Sequence, residues 1–400
     1  MSEKALQGIK VLDFTSVLSG PYCSMMLGNM GAEIYKIEKP QGDDSRTFGP
    51  HVNGESAYFL SINRGKKSIV CDTSTDNGKE LFKRLVAKVD VLVENLKPGA
   101  MERMGLGYDT LKEINPRLIY VAVSGFGHTG PYSPRASYDM IVQGMGGIIS
   151  LTGTPGGEPV RVGSSIGDIA AGMFAAFGAV SALYQRAVTG KGQKVDVAML
   201  DSQVAILENA VAKYAATGAV AGPLGMRHPS ITPFEGYKTK DGHVIVACGN
   251  NRLFQSFCEA IGLPELPEDE RFKTNPLRNE NVEILSPLIT EKMLGRTTAQ
   301  WMEILGEKNV PCGPINTIDK LFQDPQIAAR NMLVEVQQPG IGKVKVAGNP
   351  VKMSLVDSAD ELPPGIAPQL GGNTRDVMTG LLGYSEEEAA QYVQSYEGKR

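Results

Sequence analysis

Residues 9–38, IKVLDFTSVLSGPYCSMMLGNMGAEIYKIE, decide how the chain begins to fold. Two short runs rich in β-branched residues, IKVLDF and AEIYKIE, flank a Gly- and Met-rich segment, the pattern of two strands joined by a crossover. The alternation continues through SIVCD, the amphipathic KELFKRLVAKV, VLVEN, a short helical YDTLKEIN and LIYVAVSGF. Strands alternating with helices predict an α/β fold, a Rossmann-like layer structure around a parallel sheet. Ligands then collect beyond the C-terminal ends of the strands.

Past Asp168 the sequence predicts a small-residue helix, a strand in KGQKVDVAML and a second helix through SQVAILENAVAKYAATG. From about Gly225 its character changes. RHPSITPFEGYKTKDGHVIVACGN reads as β-structure with a turn at Lys240, Asp241 and Gly242, and NRLFQSFCEAIG and TTAQWMEILGEKN read as helices. These divisions predict a large discontinuous domain over residues 1–200 and 330–400, a small α+β domain over 225–325, and linkers at 201–224 and 326–329. VEVQQPGIGKVKVAG, the Pro-rich LPPGIAPQLGG and a last helix through YSEEEAAQYVQSY return to the large domain.

Forty basic and forty-four acidic residues leave a net charge of −4, so no positive field is available to hold nucleic acid. The five cysteines form no C-x-x-C pair and read as reduced, mostly buried thiols. The N-terminus shows no basic segment followed by an apolar one, which makes a cytoplasmic address the expectation. The apolar stretch from Ile169 to Gln185 is shorter than the roughly 20 residues of a membrane span and is rich in Gly and Ala, so a packed helix is expected and no membrane partner. Glycine is the unusual figure, with 46 among 400 residues. Something in the chain needs permissive backbone.

The four histidines, His51, His128, His228 and His243, lack metal-ligand spacing and read as solvated or capping groups, with no metal site. No G-x-S-x-G elbow or Walker A loop occurs, and GMGGIIS (144–150) lacks dinucleotide-binding spacing. Asp168 stands out as a lone carboxylate at the start of an uncharged helix. It reads either as an N-cap, contributing about 1 kcal/mol, or as a nucleophile kept ionised by the helix end, with Gly163 and Gly167 leaving room for a substrate.

Six segments taken together carry more. VLDFTSVLSGPYCSMMLGNMGAEIYKIEKPQGDDSR, AYFLSINRGKKSIVCD, VLVENLKPGAMERMGLGYDTLKEINPRLIYVAVSGFGHTGPY, IGDIAAGMFAAFGAVSALYQR, GKGQKVDVAMLDS and VPCGPINT occur in this order. They resemble the class III coenzyme A transferases, the family of formyl-CoA:oxalate transferase and the carnitine CoA-transferase. The resemblance implies that Asp168 is the nucleophile, forming mixed anhydrides and an aspartyl-CoA thioester while CoA passes from an acyl-CoA donor to a small carboxylic acid. It implies CoA contacts at Leu18, Lys39, Cys71, Asp72, Thr73, Asn95, Leu96, Lys97, Arg103, Arg135, Ala136 and Tyr138, with coenzyme A as substrate and no prosthetic group. Leu18 and Ala136 replace a glutamine and a lysine of the formyl-CoA enzyme, so oxalate specificity does not carry over. The family's glycine-rich lid has only ACGNN (247–251) as a counterpart. The resemblance also implies two chains interlinked as rings in a homodimer.

Two other readings make different demands. A 2-methylacyl-CoA racemase of the same fold needs an acid/base pair at the α-carbon, and related racemases carry histidine where this chain has Tyr138. A non-catalytic acyl-CoA-binding protein would have no use for Asp168.

Overall fold

The computed structural model describes residues 4–356 and 365–397. The alternating segments form six strands: β1 (Lys10–Phe14), β2 (Glu33–Glu38), β3 (Lys67–Val70), β4 (Val91–Glu94), β5 (Ile119–Ser124) and β6 (Gln193–Ala198). They pair in the order 3-2-1-4-5-6, every neighbour parallel. The order reverses between β1 and β4, so the loops leaving these two strands diverge and open a crevice between them. Helices of the same unit include α1 (Ser19–Asn29), α2 (Ala57–Asn63), α3 (Asp76–Val86), α4 (Ala100–Arg103), α5 (Asp139–Met145), α6 (Ile166–Thr189), α7 (Met199–Ile206) and α8 (Glu208–Thr217).

Successive strand residues point to opposite faces, so a buried parallel sheet needs apolar side chains on both. Val11, Val93 and Val121 pack on one face with Cys23 and Leu27 of α1 and the alanines of α6. Leu12, Leu92 and Tyr120 pack on the other with Leu81, Phe82 and Leu85 of α3. Helix α6 is longer than its sequence suggests, 24 residues, and is long and apolar enough to cross a membrane by length and composition alone. Its Ala171, Ala175, Ala179 and Ala182 are nonetheless buried against the sheet and α1. A Cβ at Gly172 would lie 2.7 Å from the Ser19 carbonyl oxygen and 3.0 Å from Tyr22 Cβ, so α1 and α6 meet at a distance that requires glycine. The single helix expected after β6 breaks at Leu207 into α7 and α8.

The chain divides into two compact units, residues 1–149, 161–219 and 325–400, and residues 150–160 and 220–324. Residues 150–160 go with the smaller unit, where the Gly225 N–H donates to the Gly153 carbonyl at 2.8 Å. That unit holds an antiparallel sheet of Phe234–Lys238, His243–Ala247 and Cys312–Pro314 over a core that includes Phe254, Phe257 and Trp301. In ACGNN, Asn250 caps the helix Asn251–Ile261 and Asn251 accepts from the Arg278 guanidinium at 3.0 Å. The C-terminal part adds a hairpin, Leu333–Gln338 with Gly342–Ala347, and two helices whose Val377, Met378 and Ala389 join the α3 side of the core. The first three residues of LPPGIAPQLGG, 362–364, lie outside the described residues. All five cysteines are free, and four are buried.

Candidate active site

After β1 the chain turns through Thr15–Leu18 into α1. Val17 has φ +64°, and the other described non-glycine residues with positive φ are all asparagines. For a β-branched residue that conformation costs about 1–2 kcal/mol, so the turn must be held. The Asn95 side chain, beyond β4, accepts the Ser16 N–H and donates to the Ser16 carbonyl, both at 2.8 Å. The Val17 N–H reaches Asp43 Oδ1 at 3.3 Å, and Asp43 Oδ2 accepts from the buried Lys36 ammonium at 2.7 Å. Lys36 also donates to the Thr15 carbonyl. Beneath the turn, Asp13 pairs with Lys66 at 2.8 Å, and Lys66 also donates to Ser24 Oγ and Asn63 Oδ1. Burial opposes ionisation of Asp13, but the Lys66 and Lys36 ammonium groups outweigh it and hold the carboxyl well below its ordinary range. Buried charges persist only when hydrogen-bonded this completely.

Asp168 is the third residue of α6, not its N-cap. Ser165 occupies the cap and makes no side-chain bond there. Asp139 of α5 supplies the cap instead, its Oδ1 accepting the Gly167 N–H at 2.8 Å and its Oδ2 accepting from Gln143 at 2.7 Å. A Cβ at Gly167 would lie 2.7 Å from Val142 Cγ2 and 3.0 Å from Asp139 Oδ1, so this glycine serves the approach of α5; Gly163 borders open space. Asp168 is half-buried. Burial first, and then the Asp139 charge, push its carboxyl up from 3.8 to about 7, against the opposing effect of the Ser19 hydroxyl. The helix end therefore does not keep Asp168 fully ionised at neutral pH, as the sequence alone suggests, because burial and a second carboxylate outweigh it.

Asp168 opens onto a hollow of about 280 Å³ beyond β1, β4 and β5. Leu18, Asn95, Leu96 and Lys97 line one side, and Arg135, Ala136 and Tyr138 another. Arg135 packs over the rings of Tyr132 and Phe126, and Tyr138 is exposed. A second hollow of about 390 Å³ is lined by Lys39, Cys71, Asp72 and Thr73, and shares Ser16, Asp44 and Leu96 with the first. Lys39 pairs with Asp44 at 2.7 Å on the surface. Burial pushes the Cys71 thiol up to about 12, and its Sγ–H donates to the Gly78 carbonyl. Arg103 ends α4, exposed and outside both linings, one residue before Met104, which borders the second hollow. Twelve of the thirteen residues expected at the site thus border two adjoining hollows.

Sequence reading passed over Asp139, Ser19 and Glu94. Asp139 directly follows Tyr138, and its acidic side chain beside a glycine-rich turn was the available signal. Glu94 ends an apolar strand and gives no such signal. Burial pushes its carboxyl up to about 7 despite hydrogen bonds from the Leu96 N–H and the Tyr120 hydroxyl. His128, read as solvated or capping, instead has Nδ1 3.0 Å from the Lys194 ammonium and Nε2 3.7 Å from Glu94.

A doubly wound sheet with adjoining hollows at its switch point, and a carboxylate of raised pKa facing one of them, define an α/β protein built for an extended ligand and carboxylate chemistry. The chain belongs to CoA-transferase family III, whose description matches residues 6–374. It is similar to human succinyl-CoA:glutarate CoA-transferase, 40% identical over 98% of this chain and 89% of the relative. It is also similar to acetyl-CoA:oxalate CoA-transferase of Acetobacter aceti, 42% identical over 89% of this chain and 91% of the relative. The crystal structure of a CAIB/BAIF family protein from Brucella suis superposes with a TM-score of 0.83 at 40% identity, covering 95% of this chain and all of the other. The protein is an enzyme that transfers CoA between an acyl-CoA and a carboxylic acid.

Proposed function

We propose that this enzyme passes CoA from an acyl-CoA donor to a small dicarboxylic acid, with Asp168 as the covalent nucleophile. The observation that carries the reading is the Asp168 carboxyl, pushed up to about 7 and facing the hollow that Lys97 and Arg135 border. Both relatives named above pair a CoA ester with a dicarboxylic acid in their names. The nucleotide end of CoA lies in the hollow of Lys39 and Cys71–Thr73, and the thioester reaches Asp168.

An Asp168 oxygen attacks the thioester carbonyl, the carbon–sulfur bond breaks, and CoA leaves as thiolate. The thiolate attacks the Asp168 carbonyl of the mixed anhydride, releasing the donor acid as carboxylate and leaving aspartyl-CoA. The acceptor carboxylate then displaces CoA to form a second anhydride, and the thiolate attacks its acceptor carbonyl to release product and free Asp168. A carboxylate of ordinary basicity would make the first step steeply uphill. At about 7 Asp168 approaches the basicity of a thiolate, about 8.5, which narrows the gap between thioester and anhydride.

The enzyme acts in the cytoplasm as a homodimer of interlinked chains. Met173, Phe177, Val180, Tyr184 and Val188 recur at three- and four-residue spacing and leave an exposed apolar stripe along α6, which a second copy covers. Incubation with a panel of acyl-CoA donors and free acids, followed by mass spectrometry of new CoA esters, tests the reaction. Hydroxylamine should trap a modified peptide containing Asp168. Normal transfer by Asp168→Ala would overturn the covalent route, and α-proton exchange without an acceptor acid would support the racemase instead.

A further inference from the structure

Between β5 and α5, residues 125–138 carry Arg135, Ala136 and Tyr138 to the hollow of Asp168. This segment folds on itself. A Cβ at Gly125 would lie 2.5 Å from Ser137 Cβ, the Phe126 and Tyr132 rings meet edge to face, and the Arg135 guanidinium packs over both rings. His128 ties the folded segment to the sheet. Its backbone N–H donates to Asp196 Oδ2 at 2.9 Å and its Nδ1 lies 3.0 Å from the Lys194 ammonium, both partners on β6. An ammonium can only donate, so Nδ1 accepts and the ring proton sits on Nε2. Nε2 is buried, has no hydrogen-bond partner among the described residues, and faces Glu94 Oε1 at 3.7 Å. Burial, and after it the Lys194 charge, hold the imidazole below its ordinary pKa against Asp196 and Glu102, which agrees with a neutral ring. Glu94 belongs to the opposite wall. Its Oε2 accepts the Leu96 N–H at 2.8 Å, in the turn that brings Leu96 and Lys97 to the same hollow, and its Oε1 accepts from the Tyr120 hydroxyl at 3.2 Å.

We propose that His128 is a positioning residue for CoA transfer: held in one tautomer between Lys194 and Glu94, it seats residues 125–138 beside the turn after β4 and so fixes the two walls of the hollow relative to each other. The inference rests on that hollow taking acyl-CoA. His128 touches no substrate in this role and acts through Arg135, Ala136 and Tyr138. Its imidazole suits the task because one face accepts from a cation while the other directs an N–H at a buried carboxylate, so the ring has a single orientation that serves both neighbours.

The test is steady-state kinetics of CoA transfer from succinyl-CoA to glutarate, or whichever pair the panel shows to be fastest, with kcat and the KM of each substrate measured separately in the full chain. His128→Ala raises the acyl-CoA KM about tenfold and leaves kcat and the acceptor KM within about twofold of the parent. His128→Gln offers a carbonyl to Lys194 and an amide N–H to Glu94, and restores the parental acyl-CoA KM. Lys194→Met keeps a side chain of similar length over the Tyr120 ring but releases the tautomer, and raises the same KM with the imidazole intact, which keeps the proposal testable where His128→Ala does not fold. A fall in kcat with unchanged KM values, or His128→Gln as impaired as His128→Ala, overturns the positioning role. Arg135→Ala separates this role from the reading beneath it. If Arg135→Ala raises the acyl-CoA KM and His128→Ala does not, the positioning role is overturned and the hollow still takes acyl-CoA; if Arg135→Ala leaves that KM unchanged, the reading of the hollow falls and the inference with it.

Discussion

Replacing Asp168 with asparagine should make the ligand-free protein more stable as well as inactive, and the gain should grow with pH. The folded state holds this carboxyl at about 7, against an ordinary value of 3.8. A raised folded pKa means that the native state binds the proton more tightly than the unfolded chain, so the contribution is fully stabilising below about 3.8 and is lost as pH rises through about 7. Above that range the native protein bears the whole cost of a buried carboxylate beside Asp139, at most about 4 kcal/mol. Between pH 5.5 and 8.5 this cost rises by about 2 kcal/mol. Asparagine keeps the shape and does not titrate. Urea unfolding of parent and Asp168→Asn at the two pH values should therefore show a stability gap about 2 kcal/mol wider at pH 8.5. Far-UV circular dichroism is the suitable probe, because the single tryptophan, Trp301, belongs to the smaller unit. A gap that is constant with pH, or a parent more stable than the variant at pH 8.5, would refute the argument that burial and Asp139 raise this carboxyl.

Three further substitutions probe the support of the site. Gly172→Ala inserts a methyl 2.7 Å from the Ser19 carbonyl oxygen, and should cost about 1–3 kcal/mol in urea unfolding and lower kcat/KM by pushing α6, which carries Asp168, away from α1. Asp13→Asn leaves the buried Lys66 ammonium without its anionic partner and should destabilise by about 3–5 kcal/mol at pH 7.5, checked by the urea midpoint. Val17→Gly removes the strain at φ +64°. Part of that gain is lost to the greater freedom of the unfolded chain, so stability should hold or rise by up to about 1 kcal/mol while kcat/KM falls; a large loss of stability would show that the valine is unstrained.

Much of the larger unit is legible in the chain. IKVLDF, AEIYKIE, SIVCD, VLVEN and LIYVAVSGF all contain strands of the parallel sheet, because buried strands need uninterrupted apolar runs and their crossover helices need an amphipathic period. The break at Leu207 was not legible, since Ala205, Leu207, Glu208 and Ala210 are good helix formers and no Gly or Pro marks the turn. Asp168 stood out because one charge at the start of an apolar helix is rare enough to notice. Its environment did not, since desolvation depends on what packs around it.

By itself, then, the sequence determined the α/β class, the succession of strands and the lone carboxylate at the start of an apolar helix, because hydrophobic period and local charge are properties of neighbouring residues. Only the tertiary structure decided that Asp139 would cap α6 in place of Asp168, and that Asn95 would clamp Ser16 across a sequence separation of 79 residues. It also decided that two carboxylates would share one half-buried helix end and raise the pKa of Asp168. These follow from the strand order 3-2-1-4-5-6, which sets the loops of β1 and β4 side by side. Periodicity reports which residues are buried, and the sheet order decides which distant polar groups meet there.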